Sequence, residues 1–315
     1  MEVPALPLQL SVNAPAIQWY PGHIAKAEKA LTANLAKVDL VIEVRDARIP
    51  LATGHPRLQR WITGKQHLLV INRLDMVPAP VRAAWDAWFR SQGQTPWWCD
   101  AKTGTGVKQL QQAAIRSGGA LNARRSSRGM KPRPVRALML GFPNVGKSAL
   151  INRLVRQKVV DSARRAGVTR SLRWVRLGQD LDLLDAPGVL PPRLDDQQAA
   201  LRLALCDDIG QAAYDSEAAA LAFVQLLALL EGVCQSGVPA GLLAKRYGIE
   251  LGALPNGEPD RETWLLAAAE RHTSGDTLRM ATKLLDDFRR SALGAIALEF
   301  PAGLAPAKSA VVSAS

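Results

Sequence analysis

Acidic residues are missing from one long stretch of this chain: none lies between Asp100 and Asp161. Cysteine is scarce as well. Cys99, Cys206 and Cys234 are odd in number and far apart, which points to neither a disulfide framework nor a zinc site, and a reducing cytosol suits them. Long hydrophobic runs are also lacking. The longest, Ala218 to Leu230, has thirteen positions and is interrupted by Gln225. A bilayer span needs about 20 residues, so this run reads as a buried helix and no membrane association is expected. The first sixteen residues hold no Lys or Arg and include Glu2, which argues against a secretory signal or an Arg-rich transit peptide.

What is present is a chain of 315 residues, long enough for an α/β domain of about 150 to 200 residues and a smaller partner. Its net charge of +12 is unevenly placed. Ala101 to Val160 carries thirteen Lys or Arg and no acid, so the remainder sums to 12 − 13 = −1. Such a field draws a polyanion. The densest part, Asn122 to Arg136, holds six cations, one Gly and two Pro without helical periodicity. It reads as a basic loop that meets phosphates, with Arg124, Arg125, Arg128, Lys131 and Arg133 as RNA-binding candidates. The alternative is a linker that is merely soluble, although solubility does not require charge of one sign.

Six short aliphatic runs bounded by turn residues read as strands: Leu40 to Val44, Leu68 to Ile71, Trp97 to Cys99, Ala137 to Leu140, Arg173 to Leu177 and Leu181 to Leu184. Amphipathic stretches such as Val81 to Ser91 and Ser148 to Gln157 lie between them, the alternation of a mostly parallel sheet covered by helices. Gly178 and Gln179 imply one antiparallel hairpin. From Asp195 to Glu231 and from Thr263 to Ser291, Ala and Leu recur with helical spacing. Trp85, Trp88 and Phe89 share a helix face and read as core rather than as base-stacking groups. The expected organisation is a loose tail over 1–16, an α/β domain over 17–190, a small all-helical domain over 191–301 and a disordered tail over 302–315.

GFPNVGKS, Gly141 to Ser148, fits GxxxxGK[ST] and lies between an apolar strand and a helix, where that motif cradles phosphates. Backbone N–H groups of Asn144, Val145 and Gly146 turn inward, Lys147 neutralises the β and γ phosphates, and the Ser148 hydroxyl ligates Mg²⁺. DAPG, Asp185 to Gly188, begins 44 residues after Gly141; Asp185 suits Mg²⁺ through water and the Gly188 N–H suits the γ-phosphate. Thr169 lies in the loop between and is either a third metal ligand or an ordinary loop hydroxyl. NRLD, Asn72 to Asp75, is a variant of NKxD at the carboxyl end of a strand. An Asp75 carboxylate accepting from guanine N1–H and the exocyclic amine would reject adenine. DAKTGTG, Asp100 to Gly106, resembles the loop that contacts the guanine oxygen, through Ala101 and Lys102. Guanine motifs at 72 and 100 therefore precede phosphate motifs at 141 and 185, the reverse of the usual order.

This order resembles a circularly permuted, Ras-like P-loop GTPase, in which old ends are joined and a new break opened without dispersing the site. IQWYPGHIAKA (Ile17 to Ala27), DARIP (Asp46 to Pro50), NRLD, GFPNVGKSALINRL and DAPG closely resemble the bacterial ribosome-biogenesis GTPase A family. The likeness is specific from Ile17 to Gly188 and more diffuse beyond, where KRYGIE and FRRSALGAIALEFP carry it. It implies a cytoplasmic, monomeric GTPase that takes GTP and GDP with Mg²⁺, binds the immature large ribosomal subunit and its RNA, assists late assembly, and is stimulated by the ribosome. It implies His23 as the catalytic group, where the residues alone read as a local helix cap, and Asn144 as a candidate K⁺ ligand. Val189 stands directly after DAPG, where Ras-like enzymes place a water-orienting Gln. Arg73, Asp100, Ala186 and Arg170 depart from the common pattern. The alternatives are a small-subunit-directed relative, which would carry a barrel or zinc module not seen here, and an RNA-binding scaffold that no longer hydrolyses GTP.

Overall fold

The computed structural model describes residues 12, 17, 29, 31–155, 173–186, 188, 191, 195–231 and 236–301. Six strands form one sheet: β1 (Leu40–Asp46), β2 (Gln66–Asn72), β3 (Pro96–Trp98), β4 (Val135–Leu140), β5 (Arg173–Leu177) and β6 (Leu181–Asp185). Their order is β3-β2-β1-β4-β6-β5, and only β5 runs antiparallel, hairpinned to β6. β1 and β4 are buried over nearly their whole length because both of their faces are covered. Val41 and Leu138 point into one cluster, which also holds Leu31, Leu58, Trp61 and Leu184; Leu40, Ile42 and Val44 point into the other.

Register fixes what meets at the sheet's carboxyl edge. Asp46 pairs with Asn72, Glu43 with Leu140, and Met139 with Asp185. The ends of β1 and β2, the loop after β4 and the end of β6 therefore open side by side, although the chain reaches them at positions 46, 72, 141 and 185. Helices cross between the strands: α1 (Leu58–Ile62), α2 (Ala79–Ser91), α3 (Val107–Ser117), α4 (Gly119–Ser126) and α5 (Lys147–Val155). On α2, Trp85 and Phe89 are fully buried, as their spacing predicts. The basic segment is not entirely loop. Its first residues, Asn122 to Ser126, complete α4, because Gly118 and Gly119 let a second helix start directly after α3.

After residue 195 the described chain is mainly helical: α6 (Gln197–Leu205), α7 (Ser216–Glu231), α8 (Leu242–Tyr247), α9 (Arg261–Thr273) and α10 (Thr277–Arg289). Asp196, Asp260 and Asp276 cap α6, α9 and α10 with their carboxylates. The long periodic stretches are each broken once. Asp207, at φ 63°, ends α6, and Ser274 and Gly275, at φ 55° and 82°, separate α9 from α10. These helices share one continuous core with the sheet. The chain returns to the α/β layer near its last described residues: Leu298 N donates to Arg48 O (3.0 Å), and Glu299 accepts from the amides of Leu51 and Ala52 (2.7 and 3.0 Å). Trp85 Nε1 donates to Glu299 O at 3.2 Å. Among the described residues no helix is long and apolar enough to cross a membrane.

Candidate functional site

Asn72, the last residue of β2, joins two loops that are distant in sequence. Its Nδ2 donates to Val145 O in the phosphate loop (2.8 Å), and its Oδ1 accepts from Ala101 N (3.2 Å). The approach is close enough to require glycine: a Cβ on Gly146, at φ 98°, would lie 2.2 Å from Asn72 Nδ2. Asp100 stands where Ser is usual, and its carboxylate accepts from Lys102 N (2.7 Å) and Thr103 N (3.1 Å). Asp75 is exposed by its surface area, and partial desolvation of its carboxyl together with the Asp100 charge raises its pKa. Ala101 and exposed Lys102 lie on the neighbouring loop, since Leu74 N donates to Cys99 O at 3.1 Å.

In the phosphate loop Lys147 is buried, and its Nζ donates to Gly141 O (3.1 Å) and Phe142 O (2.6 Å). Burial lowers its pKa to about 8, against the opposing pull of Asp185 and Asp208. Burial raises the pKa of Asp185, while Lys147 and a hydrogen bond from Ser148 lower it. Among the described residues, Asp185 Oδ1 is buried without a hydrogen-bond partner. A hydroxyl touching a carboxylate with a bare oxygen fits Mg²⁺, which takes one or two protein ligands and completes its shell with phosphate and water. Among the described residues there is no cluster of three His, Cys, Asp or Glu that would cage a metal by itself. Gly188 packs on the loop so closely that a Cβ would meet Pro143 Cα at 2.6 Å. Ala186, where Thr is common, sits fully buried beside Leu184 and Trp61.

The 50S ribosome-binding GTPase family matches residues 136–225. The ribosome biogenesis GTPase A of Bacillus cereus is 39% identical over 188 residues, which are 60% of this chain and 64% of that protein, a little under two thirds. That of Bacillus pumilus is 38% identical over 189 residues, 60% of this chain and 67% of that protein. This chain belongs to the ribosome biogenesis GTPase A family. The GNP-bound YlqF of T. maritima has the same fold, with a TM-score of 0.58 at 20% identity over 88% of this chain and 99% of that one.

In this family member the NRLD arginine makes contacts that the motif alone does not announce. Arg73, held in the left-handed region at φ 65°, donates through Nη2 to Asn144 O and through Nη1 to Asp46 Oδ2. A planar fork serves two directions at once, which a lysine ammonium does not do in fixed geometry. Asp46 is fully buried and forms a bidentate pair with Arg48 (3.0 and 2.8 Å); burial raises its pKa, but Arg48 and Arg73 outweigh this and hold it near 2. The three residues after α6 close the same corner. Cys206 O accepts from Arg48 Nη2 (3.0 Å), Asp207 O accepts from Asn144 Nδ2 (2.6 Å), and Asp208 Oδ1 lies 3.7 Å from Arg73 Nη1. Asp208 is fully buried, and burial and Asp46 push its pKa well up.

Sequence reasoning did not assign roles to Arg48, Asp207 or Asp208. A signal existed for Asp46, which ends β1 on the ligand-binding edge, and for Arg48 two residues beyond it. Contacts join Asn72 to Val145, Gly146 and Ala101, Arg73 to Asn144, Lys147 and Ser148 to Asp185, and Gly188 to the phosphate loop at Pro143, with Asp75 and Lys102 on the neighbouring loops. His23, Thr169, Arg170 and Val189 lie outside the described residues. The basic candidates are elsewhere, toward the amino end of β4. Arg124, Arg128 and Lys131 are exposed, while Arg125 Nε donates to Lys131 O (3.1 Å). Arg133 is committed to Asp39 through two bonds of 2.7 and 2.8 Å.

Proposed function

We propose that this protein binds GTP and GDP with Mg²⁺, hydrolyses GTP to GDP and phosphate, and acts in the cytosol on the large ribosomal subunit precursor, with turnover raised by the ribosome. The observation that carries the nucleotide reading is the Asn72 bridge, which ties the guanine half of the chain to the phosphate half. Asp75 would accept from guanine, Lys147 would leave its two backbone carbonyls for the β and γ phosphates, and Gly188 N–H would face the γ-phosphate. Ser148 and Asp185 would hold Mg²⁺, with Thr169 as a further ligand; the ion neutralises charge that develops on the phosphates. Asn144 donates its Nδ2 to Asp207 O, so its Oδ1 is the atom offered to K⁺. Replacing K⁺ by Na⁺ at constant ionic strength should lower turnover; equal rates would remove K⁺ from the account.

Val189 cannot orient a water, so hydrolysis needs another group, and the resemblance nominates His23. The matched relatives' names support a ribosomal partner, and the description of the 50S ribosome-binding family supports the large subunit. The basic residues Arg124, Arg125, Arg128 and Lys131 supply charge for its RNA, while Arg133 would first have to leave Asp39. Hydrolysis of radiolabelled GTP with and without large subunits tests the reading. Stimulation by large subunits is expected, and equal rates or a preference for small subunits would contradict it. A His23→Ala variant should keep nucleotide and subunit binding while stimulated hydrolysis falls; unchanged hydrolysis would reject His23.

A further inference from the structure

The strand β5 reads Arg-Trp-Val-Arg-Leu, and its alternation divides it between two environments. Val175 and Leu177 are buried in the large core, which obliges Trp174 and Arg176 to share the opposite face. That face is covered by the second cluster as far as Leu184, the cross-strand neighbour of Trp174. Trp174 stays outside that cluster with 41% of its surface exposed. Burying a tryptophan is among the larger apolar gains open to a fold, so an indole left on the edge strand calls for a purpose.

Its surroundings are cationic. Arg136 on β4, Asp182 on β6 and Arg176 on β5 lie in one row across three strands. Arg136 places its guanidinium 6.0 Å from the Trp174 ring centre, and Arg176 is 78% exposed. Asp182, the acid of that row, faces Arg176 Nε at 3.5 Å and is thus outnumbered by two arginines. Arg136 also ends the densest part of the basic segment, whose loop is pinned to the amino end of β4 through Asn122 and the Arg133 backbone. A protein-docking face would gather several exposed apolar side chains. Among the described residues the exposed large hydrophobics of the α/β layer are Trp174 and Met130, and Met130 lies in the basic loop.

We infer that Trp174, with Arg136 and Arg176, is a stacking platform for an unpaired base of single-stranded RNA, fed by the basic segment that tracks the adjoining phosphates. An indole face accepts any base, guanidinium groups stack and pair with phosphate, and the combination is how sequence-tolerant single-strand sites are made. This rests on the proposal that the partner is RNA, and it names the place and the form of the RNA. Arg136 and Arg176 lie toward the amino ends of the parallel strands, whereas Trp174 stands opposite Leu184, one residue before Asp185; by alternation its side chain is on the sheet face opposite that of Asp185, so its loss should leave nucleotide binding intact.

The test uses the full chain at fixed salt, with a labelled unstructured RNA oligonucleotide, an RNA duplex of equal length and large-subunit precursors. Trp174→Ala should weaken single-strand binding about tenfold, Trp174→Phe should restore most of it, and duplex binding and GDP affinity should not change. Arg136→Ala should weaken binding to the single strand and lessen its salt dependence. Wild-type single-strand affinity in the Ala variant would overturn the inference. So would equal losses for single strand and duplex, which would mean charge alone. Loss of GDP affinity in the Ala variant would signal misfolding; the Phe variant then decides, and an affinity for the single strand as low as that of Arg136→Ala would also overturn it. Loss of precursor binding with oligonucleotide binding intact would assign the face to a protein and overturn it too. If the wild type binds neither RNA nor precursor, the partner reading itself fails.

Discussion

Asn72 holds two loops with one amide, and its replacement removes a donor and an acceptor together. Each buried hydrogen bond of this kind contributes about 1 kcal/mol, and more where a partner is left unpaired. Asn72→Ala should therefore weaken GDP binding by about tenfold or more, read by titration with a fluorescent GDP; unchanged affinity would show that the bridge is incidental. Lys147 gives a pH prediction. In the free protein its pKa is about 8, and bound phosphates would raise it. Below pH 8 the ammonium is charged in both states, so affinity is level there. Above pH 8 binding must take up a proton, and the Kd for GDP should rise toward tenfold per pH unit. A flat profile from pH 7 to 9 would show that burial does not depress this lysine. That Asn72, Lys147 and Asp185 meet at one sheet edge was legible in the sequence, because each motif demands one side-chain type at a fixed spacing. The contact from Asp207 to Asn144 was not, since it uses a backbone carbonyl that any residue supplies.

Among elements, the strands were legible because β1, β2 and β4 are short apolar runs covered on both faces, and the Gly178 turn announced the hairpin. The interruptions of the helical part were less so. Composition continues as Ala and Leu through Cys206, and what ends α6 is the left-handed Asp207, fixed by partners that lie in the α/β layer. The Asp46–Arg48 pair is the buried joint between β1 and α6. Arg48→Ala would leave Asp46 buried with one partner fewer, and removing one member of a buried pair costs about 3–5 kcal/mol. Urea denaturation should show that loss; a change below about 1 kcal/mol would mean that Arg73 alone satisfies Asp46. Because α6 ends on carbonyls that hold Arg48 and Asn144, a phosphate loop that changes with its ligand should be felt there. Amide exchange over Gln197 to Ala204 should differ between the GDP and GTP-analogue states, and identical exchange would refute that coupling.

Over the whole molecule, the two ends of β4 separate two tasks. Its carboxyl end opens into the phosphate loop, and its amino end receives the basic segment, about 20 Å away at strand rise. The reversed order of motifs has no visible effect on the site, because sheet register at Asp46–Asn72 and Met139–Asp185 brings the halves together in space. It does change the course of the chain after DAPG, which leads from Gly188 toward α6 and the helical part rather than back through the guanine half. The claim on which all else depends is that these halves make one guanine site. Competition of GDP and XDP for the wild type and for Asp75→Asn tests it most directly, because Asn presents a donor where Asp presents an acceptor. The wild type should prefer GDP and the variant XDP, each by about tenfold or more; a variant that keeps the wild-type preference would contradict the assignment of Asp75 and the joined site with it.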